Sequence, residues 1–535
     1  MHTILIKNAD VIDGTGKPAY RADVTVEEKT ISDVVPHSQK HAQRNINAEG
    51  LVLAPGFIDM HCHTDLSLPV LPTADSLIHQ GITTAVTGQC GLSPAPLSRG
   101  NRKEIISSLG VLLEGLEGNI PWEEWSSFGE YLDFLEGLGI SLNIAPLVGQ
   151  GMIRAGVMGF SSGNADQGQM ARMQADTIKA LEEGALGLST GLIYPPGSYA
   201  KTGELIELTR VVGERQGFYF SHIRGEAETL LEAVSEAIEI GRETGAAVQI
   251  SHFKAMGKEN WPKSRKALEM IDRARAEGLN VYADMYPYTA GSTGLAAFLP
   301  EWAQEGGKEQ TLKRLDDPDQ REKMKRDMKT GGFAKGIAWD LVLINGSAKK
   351  PEYQGHYVSE LAEQSGKTGE DWAFDALLET GLQITMANFG MSEENRRQEM
   401  KHPAMTFGTD GFGIGLEGET ARGLPHPRNF GAYPRILGRY VREEGVLTLE
   451  GAVHKMTGLA AHRLRLKDRG LIRPGLVADL VLFDPKTISD TATYENPFRF
   501  PTGITHVLVN GELVVAEGRH TGARPGRILR RERRA

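Results

Sequence analysis

Short apolar runs recur along most of this chain, separated by stretches of helical spacing. The runs fall at residues 57–60, 82–87, 140–145, 185–188, 217–220, 247–250, 279–283 and 405–407. Each has the length of a buried strand rather than of a buried helix. Between them, residues 171–183 and 227–244 place apolar side chains at helical period. Repeated strand–helix alternation predicts an α/β fold, a (β/α)8 TIM-like barrel over residues 56–465. The spacing breaks between about 294 and 401, a gap whose charged part, 308–329, is rich in helix formers. Ordinary connections are far shorter, so an inserted subdomain or lid is predicted at about 295–400.

The two ends of the chain read as β. Residues 4–7, 22–27 and 31–35 are strand-like, and so are 479–483, 507–509 and 513–515. Asn510-Gly511 between the last two is a type I′ hairpin signal. A few strands at each terminus are marginal alone. Residues 1–55 and 466–535 are therefore expected to pair into one small, discontinuous β-sandwich domain. No internal repeat or low-complexity tract stands out.

Composition narrows the classes. With 40% hydrophobic and 24% charged residues over 535 positions, the chain has the make-up of a soluble globular protein with a large core. A net charge of −10 gives no reason to expect nucleic-acid binding. No apolar run approaches membrane-spanning length. The chain opens on strand-like residues 3–6 instead of a signal-type apolar segment. Two cysteines, Cys62 and Cys90, exclude a disulfide framework, favour a reducing compartment and give a cytoplasmic expectation. The basic tail (Arg527, Arg530, Arg531, Arg533, Arg534) reads as solvated. Nothing in the pattern sets an oligomeric state.

Chemistry enters where the runs end. After residues 57–60 come His61, Cys62 and His63; strand alternation points the two imidazoles one way and Cys62 the other, into packing. Cys90 follows the second run, His222 the fifth, His252 the sixth and Asp410 the eighth. In a barrel these positions meet at one face. Imidazole, thiolate and carboxylate together suit Zn²⁺. Lys254, two residues after His252, would share its side in a continuing strand, where a substrate carboxylate is its natural partner. His79, His402, His454 and His462 lie on helical or loop stretches and read as structural.

These same residues carry a resemblance. The HxH after Pro55-Gly56-Phe57-Ile58-Asp59, and the closing Arg469-Gly470-Leu471-Ile472-Arg473-Pro474-Gly475 with Ala478-Asp479-Leu480, resemble the amidohydrolase superfamily. Within it, Gly88-Gln89-Cys90-Gly91, the stretch 189–196, Ser251-His252-Phe253-Lys254, Tyr286-Pro287-Tyr288 and His426-Pro427-Arg428 are similar to the N-acyl-D-amino-acid deacylases (D-aminoacylases). The resemblance implies a tight zinc site made by Cys90, His222 and His252, and a weaker second position made by His61, His63 and Asp410. It makes Asp410 the general base and acid in the hydrolysis of an N-acylated amino acid. Tyr194, Lys254, Tyr286, Ser292 and Arg428 would meet the substrate. Asp410 and the His-Pro-Arg motif are separated by a long loop, 411–424, whose Arg422 rivals Arg428 for the substrate carboxylate. Preference for the D-enantiomer comes only from the resemblance. The apolar stretch 294–299 points to hydrophobic side chains. Two rival readings are a cyclic-amide hydrolase of the hydantoinase or dihydroorotase kind and a non-catalytic scaffold. The first uses a lysine from the fourth strand, and residues 188–191 supply none; the second would have lost its ligands, and none is missing.

Overall fold

The structure is a computed structural model and describes residues 3–531 other than 99 and 114. The apolar runs become buried parallel strands. Phe57–Asp59, Ile82–Thr87 and Asn143–Pro146 form one parallel sheet. Val148–Gly149, Gly187–Gly191, Phe218–His222, Ala247–Ile250, Val281–Met285 and Met405–Phe407 form a second, with six strands. Their side chains are buried almost throughout, which is why they read as continuous apolar runs rather than as alternation. Leu147, between the two sheets, donates its amide to Thr87 O, and Leu186 donates to Pro146 O. At the far side Met60 donates to Phe407 O and Asp410 to His61 O. The third and seventh runs begin as strand two or three residues later than their apolar character suggests, because Ile140 and Leu142 are buried in the turn before Asn143–Pro146.

Helices alternate with these strands. Gln167–Glu183 starts before its apolar period is evident, because Asp166 and Gln169 form a capping box there. Leu230–Thr244 ends at Gly245, whose φ of 69° lies in the left-handed region.

The termini share one nine-stranded sheet. The junction is Val52–Pro55, which pairs antiparallel with Leu480–Phe483 and parallel with Thr3–Val11. This strand and Arg44–Asn47 were not predicted: Arg44–Asn47 holds a single apolar residue, and Val52–Pro55 ends on a proline. The Asn510-Gly511 hairpin forms as expected, with φ of 48° and 82°. A Cβ at Gly511 would lie 1.9 Å from Glu28 O, so the turn needs glycine for space as well as for φ.

The tail corrects one expectation. Arg530 donates to Glu183 O at the end of Gln167–Glu183 and pairs with Asp133 and Glu136, and Arg531 donates to Arg215 O. The tail is strapped across neighbouring helices because a helix C-terminus and acidic side chains offer acceptors for its guanidinium groups. Arg533 and Arg534 lie outside the described residues.

The insertion has a core of its own, built from Leu295, Phe298, Met324, Trp372, Phe374 and Leu377 among others. Helices Gly307–Asp316, Pro318–Thr330 and Gly369–Thr380 cover a three-stranded antiparallel sheet of Gly291–Gly294, Thr385–Asn388 and Val342–Gly346. That sheet begins at Gly291, so Ser292 belongs to the inserted structure.

Candidate active site

The donor residues meet at the C-terminal ends of the parallel strands. Cys90 Sγ lies 3.4 Å from His61 Nε2, 3.4 Å from His252 Nε2 and 3.7 Å from His222 Nδ1. Asp410 Oδ1 is 3.5 Å from His61 Nε2 and 3.4 Å from His63 Nε2. Three overlapping sets, His61–His63–Cys90, Cys90–His222–His252 and His61–His252–Asp410, each bring their ligand atoms within 4.8 Å of one another. All six side chains are buried.

The backbone departs from strand geometry where these side chains are delivered. Cys90, His252 and Asp410 have φ of 55°, 35° and 51°. Such conformations cost non-glycine residues about 1–3 kcal/mol each and recur at functional sites. His252 is held in its conformation by its amide donating to Asp284 Oδ1 at 2.7 Å. The strand has ended at Ile250, so the alternation argument for Lys254 does not apply; a turn brings Lys254 to the cavity instead. Cys62 pairs with Gly411 in an isolated parallel bridge, which keeps His61 and His63 together and turns Cys62 into the main core. Gly191 permits close approach of its strand, since a Cβ there would meet Cys90 O at 2.0 Å.

Carboxylates stand behind the imidazoles. Asp284 Oδ1 lies 3.4 Å from His61 Nδ1, and Glu226 Oε1 lies 3.1 Å from His252 Nδ1 and 3.8 Å from His222 Nε2. His252 Nδ1 also lies 2.8 Å from Lys254 Nζ, so an ammonium and a carboxylate share that nitrogen, while Asp284 and Glu226 stand at ion-pair distance behind His61 and His222. Neither carboxylate was singled out from the sequence. Glu226 carries one signal, its place four residues after His222; Asp284, inside a buried strand, carries its charge. Asp59 ties the first strand to the last, accepting the His61 and Thr409 amides and the Thr409 hydroxyl.

The residues fit a divalent, borderline-soft cation. Burial holds His222 and His252 well below the usual imidazole range, so both are neutral and carry a lone pair. Burial pushes the Cys90 thiol up, with His63 opposing, so the thiolate needs a further positive charge beside it. Burial would also raise the Asp410 carboxyl, but Arg428 and the hydrogen bond from His63 oppose it, and the carboxyl lies well below the carboxylate range. A neutral-imidazole, thiol and carboxylate set of this kind is what Zn²⁺ binds with release of the thiol proton.

Polar groups on the same cavity face the ligands. Tyr194 packs edge-on against His222 and its hydroxyl lies 3.0 Å from Thr293 Oγ1. Burial raises its phenol well above the usual value, keeping it a proton donor. Arg428 Nη1 sits 2.7 Å from Asp410 Oδ2 but outside hydrogen-bond geometry, and the Tyr286 hydroxyl is buried without a hydrogen-bond partner among the described residues. The Arg428 guanidinium covers the Tyr286 ring at 4.8 Å and donates to Ser292 O at 3.3 Å. Ser292 Oγ accepts from Asn345. Arg422 is half-buried, donates to Glu419 O and Asn119 Oδ1, and lines an adjoining cavity that also touches Asp410, His426 and Arg428. Lys254 is already ion-paired, with Glu226 Oε1 at 2.5 Å, because a buried ammonium requires a carboxylate whether or not substrate is present. His79 binds Asp75 O, His454 binds Gly14 O and His402 pairs with Asp272, all away from the cluster. Both ring nitrogens of His426 are used, on Ala290 O and the Arg428 amide, so it positions Arg428.

Comparison with known proteins follows the same lines. The amidohydrolase family model matches residues 415–515. The chain is 37% identical to a D-aminoacylase of Alcaligenes xylosoxydans xylosoxydans over 99% of this chain and 97% of that protein. It is also 37% identical to an N-acyl-D-glutamate deacylase of the same organism, over 99% and 96%. Among solved structures, the N-acyl-D-glutamate deacylase of Bordetella bronchiseptica, complexed with zinc and a phosphonate mimic of the tetrahedral intermediate, superposes with a TM-score of 0.82 at 35% identity, covering 99% of both chains. An L-hydantoinase of Arthrobacter aurescens, at 16% identity and a TM-score of 0.56, shares the fold alone. The chain belongs to the N-acyl-D-amino-acid deacylase family of the amidohydrolases.

Proposed function

We propose that this protein is a zinc-dependent hydrolase that cleaves the amide bond of N-acyl-D-amino acids, giving a carboxylate and a free D-amino acid. One observation carries the reading: a buried Cys–His ligand cluster, a carboxylate and a wall of cationic and phenolic side chains share one cavity. Relatives matched from end to end are named for deacylation of D-amino-acid derivatives.

Cys90, His222 and His252 would hold a tight zinc ion, with His61, His63 and Asp410 as a weaker second position. When bound, zinc supplies Lewis acidity, lowering the pKa of water and polarising a carbonyl. Asp410 takes the proton of the attacking water on Oδ1 and passes it to the leaving amine; Arg428 holds the other oxygen. The Tyr194 hydroxyl donates to the developing oxyanion. The substrate carboxylate meets Arg428 and the Tyr286 hydroxyl, which is buried without a hydrogen-bond partner among the described residues, with Lys254 and Ser292 beside them.

The same reading takes the two parallel sheets as one closed (β/α)8 barrel over 56–465, with the insertion counted from 291. The backbone hydrogen bonds of Met60 on Phe407 and Asp410 on His61 support closure. It takes residues 1–55 and 466–535 as a β-sandwich domain; the hydrogen bonds between Ile31 and residues 475–476 fold the sheet edge back. Two buried free thiols support the cytoplasmic expectation. Among the described residues no helix is long and apolar enough to cross a membrane. Hydrolysis of paired N-acetyl-D- and N-acetyl-L-amino acids, with and without zinc, tests the function. Zinc-dependent turnover of the D-series is expected. Turnover of a hydantoin without turnover of any N-acetyl-D-amino acid would favour the cyclic-amide reading.

A further inference from the structure

We infer that a groove beyond Tyr194 receives the acyl chain of the substrate, so that the protein takes N-acyl-D-amino acids carrying long, unbranched acyl groups. The inference rests on the deacylase reading above and extends it to a substrate class. The cavity over the ligand cluster, about 650 Å³, does not end at the catalytic groups. Leu92, Leu112, Ile193, Tyr194 and Thr293 line it and also line a solvent-open groove of about 1830 Å³. The two spaces adjoin across these residues. Beyond the shared residues the groove runs over Val111, Phe160, Ala296, Ala297, Leu312 and Leu382, with Lys103, Glu104, Lys308 and Glu309 also facing it. Ser107, Ser108, Gln304, Gln310 and Thr311 complete a lining that is apolar in its larger part, and such a cleft beside a reaction centre suits a ligand with an apolar chain.

Substrate geometry selects which part of the ligand enters. In a trans amide the group on the carbonyl carbon and the Cα on nitrogen lie on opposite sides of the C–N bond. With the carboxylate held by Arg428 and Tyr286 and the carbonyl at the ligand cluster, the acyl chain is directed away from the cations, past Ile193 and Tyr194. The amino-acid side chain branches from the same Cα as the carboxylate and stays on the cation side. There Met256, Phe333 and Met386 line the inner cavity without lining the groove.

The test is a chain-length series on the zinc-loaded protein: acetyl-, butyryl-, octanoyl- and dodecanoyl-D-alanine. Each fully buried methylene is worth up to about fourfold. kcat/KM is expected to rise at least about tenfold from acetyl to octanoyl. Octanoate should inhibit N-acetyl-D-alanine hydrolysis at concentrations at least about tenfold lower than acetate does. Leu312→Trp, which narrows the groove beyond the inner cavity, should abolish both gains and leave N-acetyl-D-alanine turnover unchanged. A flat or falling series with active N-acetyl-D-alanine, or octanoate no better than acetate, overturns the inference and leaves the deacylase reading intact. A gain that follows side-chain length instead, with N-acetyl-D-2-aminooctanoate favoured over N-acetyl-D-alanine, also overturns it. Hydrolysis of no member of the series sinks the deacylase reading and the groove with it.

Discussion

The ligand cluster and the wall that faces it are built in different ways. His222 ends a parallel strand, His61, His252 and Asp410 follow theirs within three residues, and neighbours such as Asp59 and Asp284 pin the backbone there. The opposite wall takes Ser292, Thr293, Phe333, Met386 and Asn388 from an insertion with a separate core. The first region is set by strand ends that the fold cannot move without unpairing. The second is one packed unit resting over the site. In the proposed function, chemistry falls to the sheet and substrate choice to the insertion and its neighbouring loops.

Changes in the cluster should have the largest effects. Cys90→Ala removes the sulfur shared by two of the three donor sets, so bound zinc should be lost and activity should fall at least about 10³-fold, read by metal analysis and assay. Asp410→Asn should separate chemistry from metal binding. Turnover falls by about 10²–10⁴-fold while the zinc held by Cys90, His222 and His252 stays. Full activity in that variant would remove Asp410 from proton transfer. Glu226→Gln reaches the cluster from behind, loosening His252 and leaving Lys254 without its carboxylate; zinc affinity measured by competition with a chelator should drop about 10–100-fold.

This ordering matches what could be read from the chain before folding. His61, His63, Cys90, His222, His252 and Asp410 each follow a run whose period announces a buried strand. Their convergence then follows from the way parallel strands end on one face. Glu226 and Asp284 were missed because a charged residue in a loop or inside a strand has no periodic signature; its partner is set by tertiary contact. Lys254 reached the cavity for a different reason from the one expected, since the left-handed turn at His252 ends strand alternation. The insertion was legible as a long charged gap, but its first strand, Gly291–Gly294, is too glycine-rich to announce itself.

The wall should break more gently. Trp372→Ala empties part of the insertion core at a cost of about 3–5 kcal/mol. The insertion should melt earlier and KM should rise, while zinc content is unchanged. Simultaneous loss of zinc would show that the two regions do not fold as separate cores. The smallest effect concerns Glu399, which lies under the Lys254 turn beside Arg396 and accepts a hydrogen bond from Ser264. Burial pushes its carboxyl up to about 7, against the opposing pull of Arg396, from an ordinary 4.5. The folded protein thus keeps this proton to higher pH than the unfolded chain does. Its stabilising contribution is complete below about 4.5 and is lost as pH rises through about 7. Glu399→Gln should flatten that part of the Tm–pH profile, measured by calorimetry.

Anomalous diffraction at the zinc edge, from crystals of the zinc-loaded protein, tests the central claim most directly. The strongest peak is predicted about 2.3 Å from Cys90 Sγ and about 2.0–2.1 Å from His222 Nδ1 and His252 Nε2. No peak, or a strongest peak remote from Cys90, would contradict it.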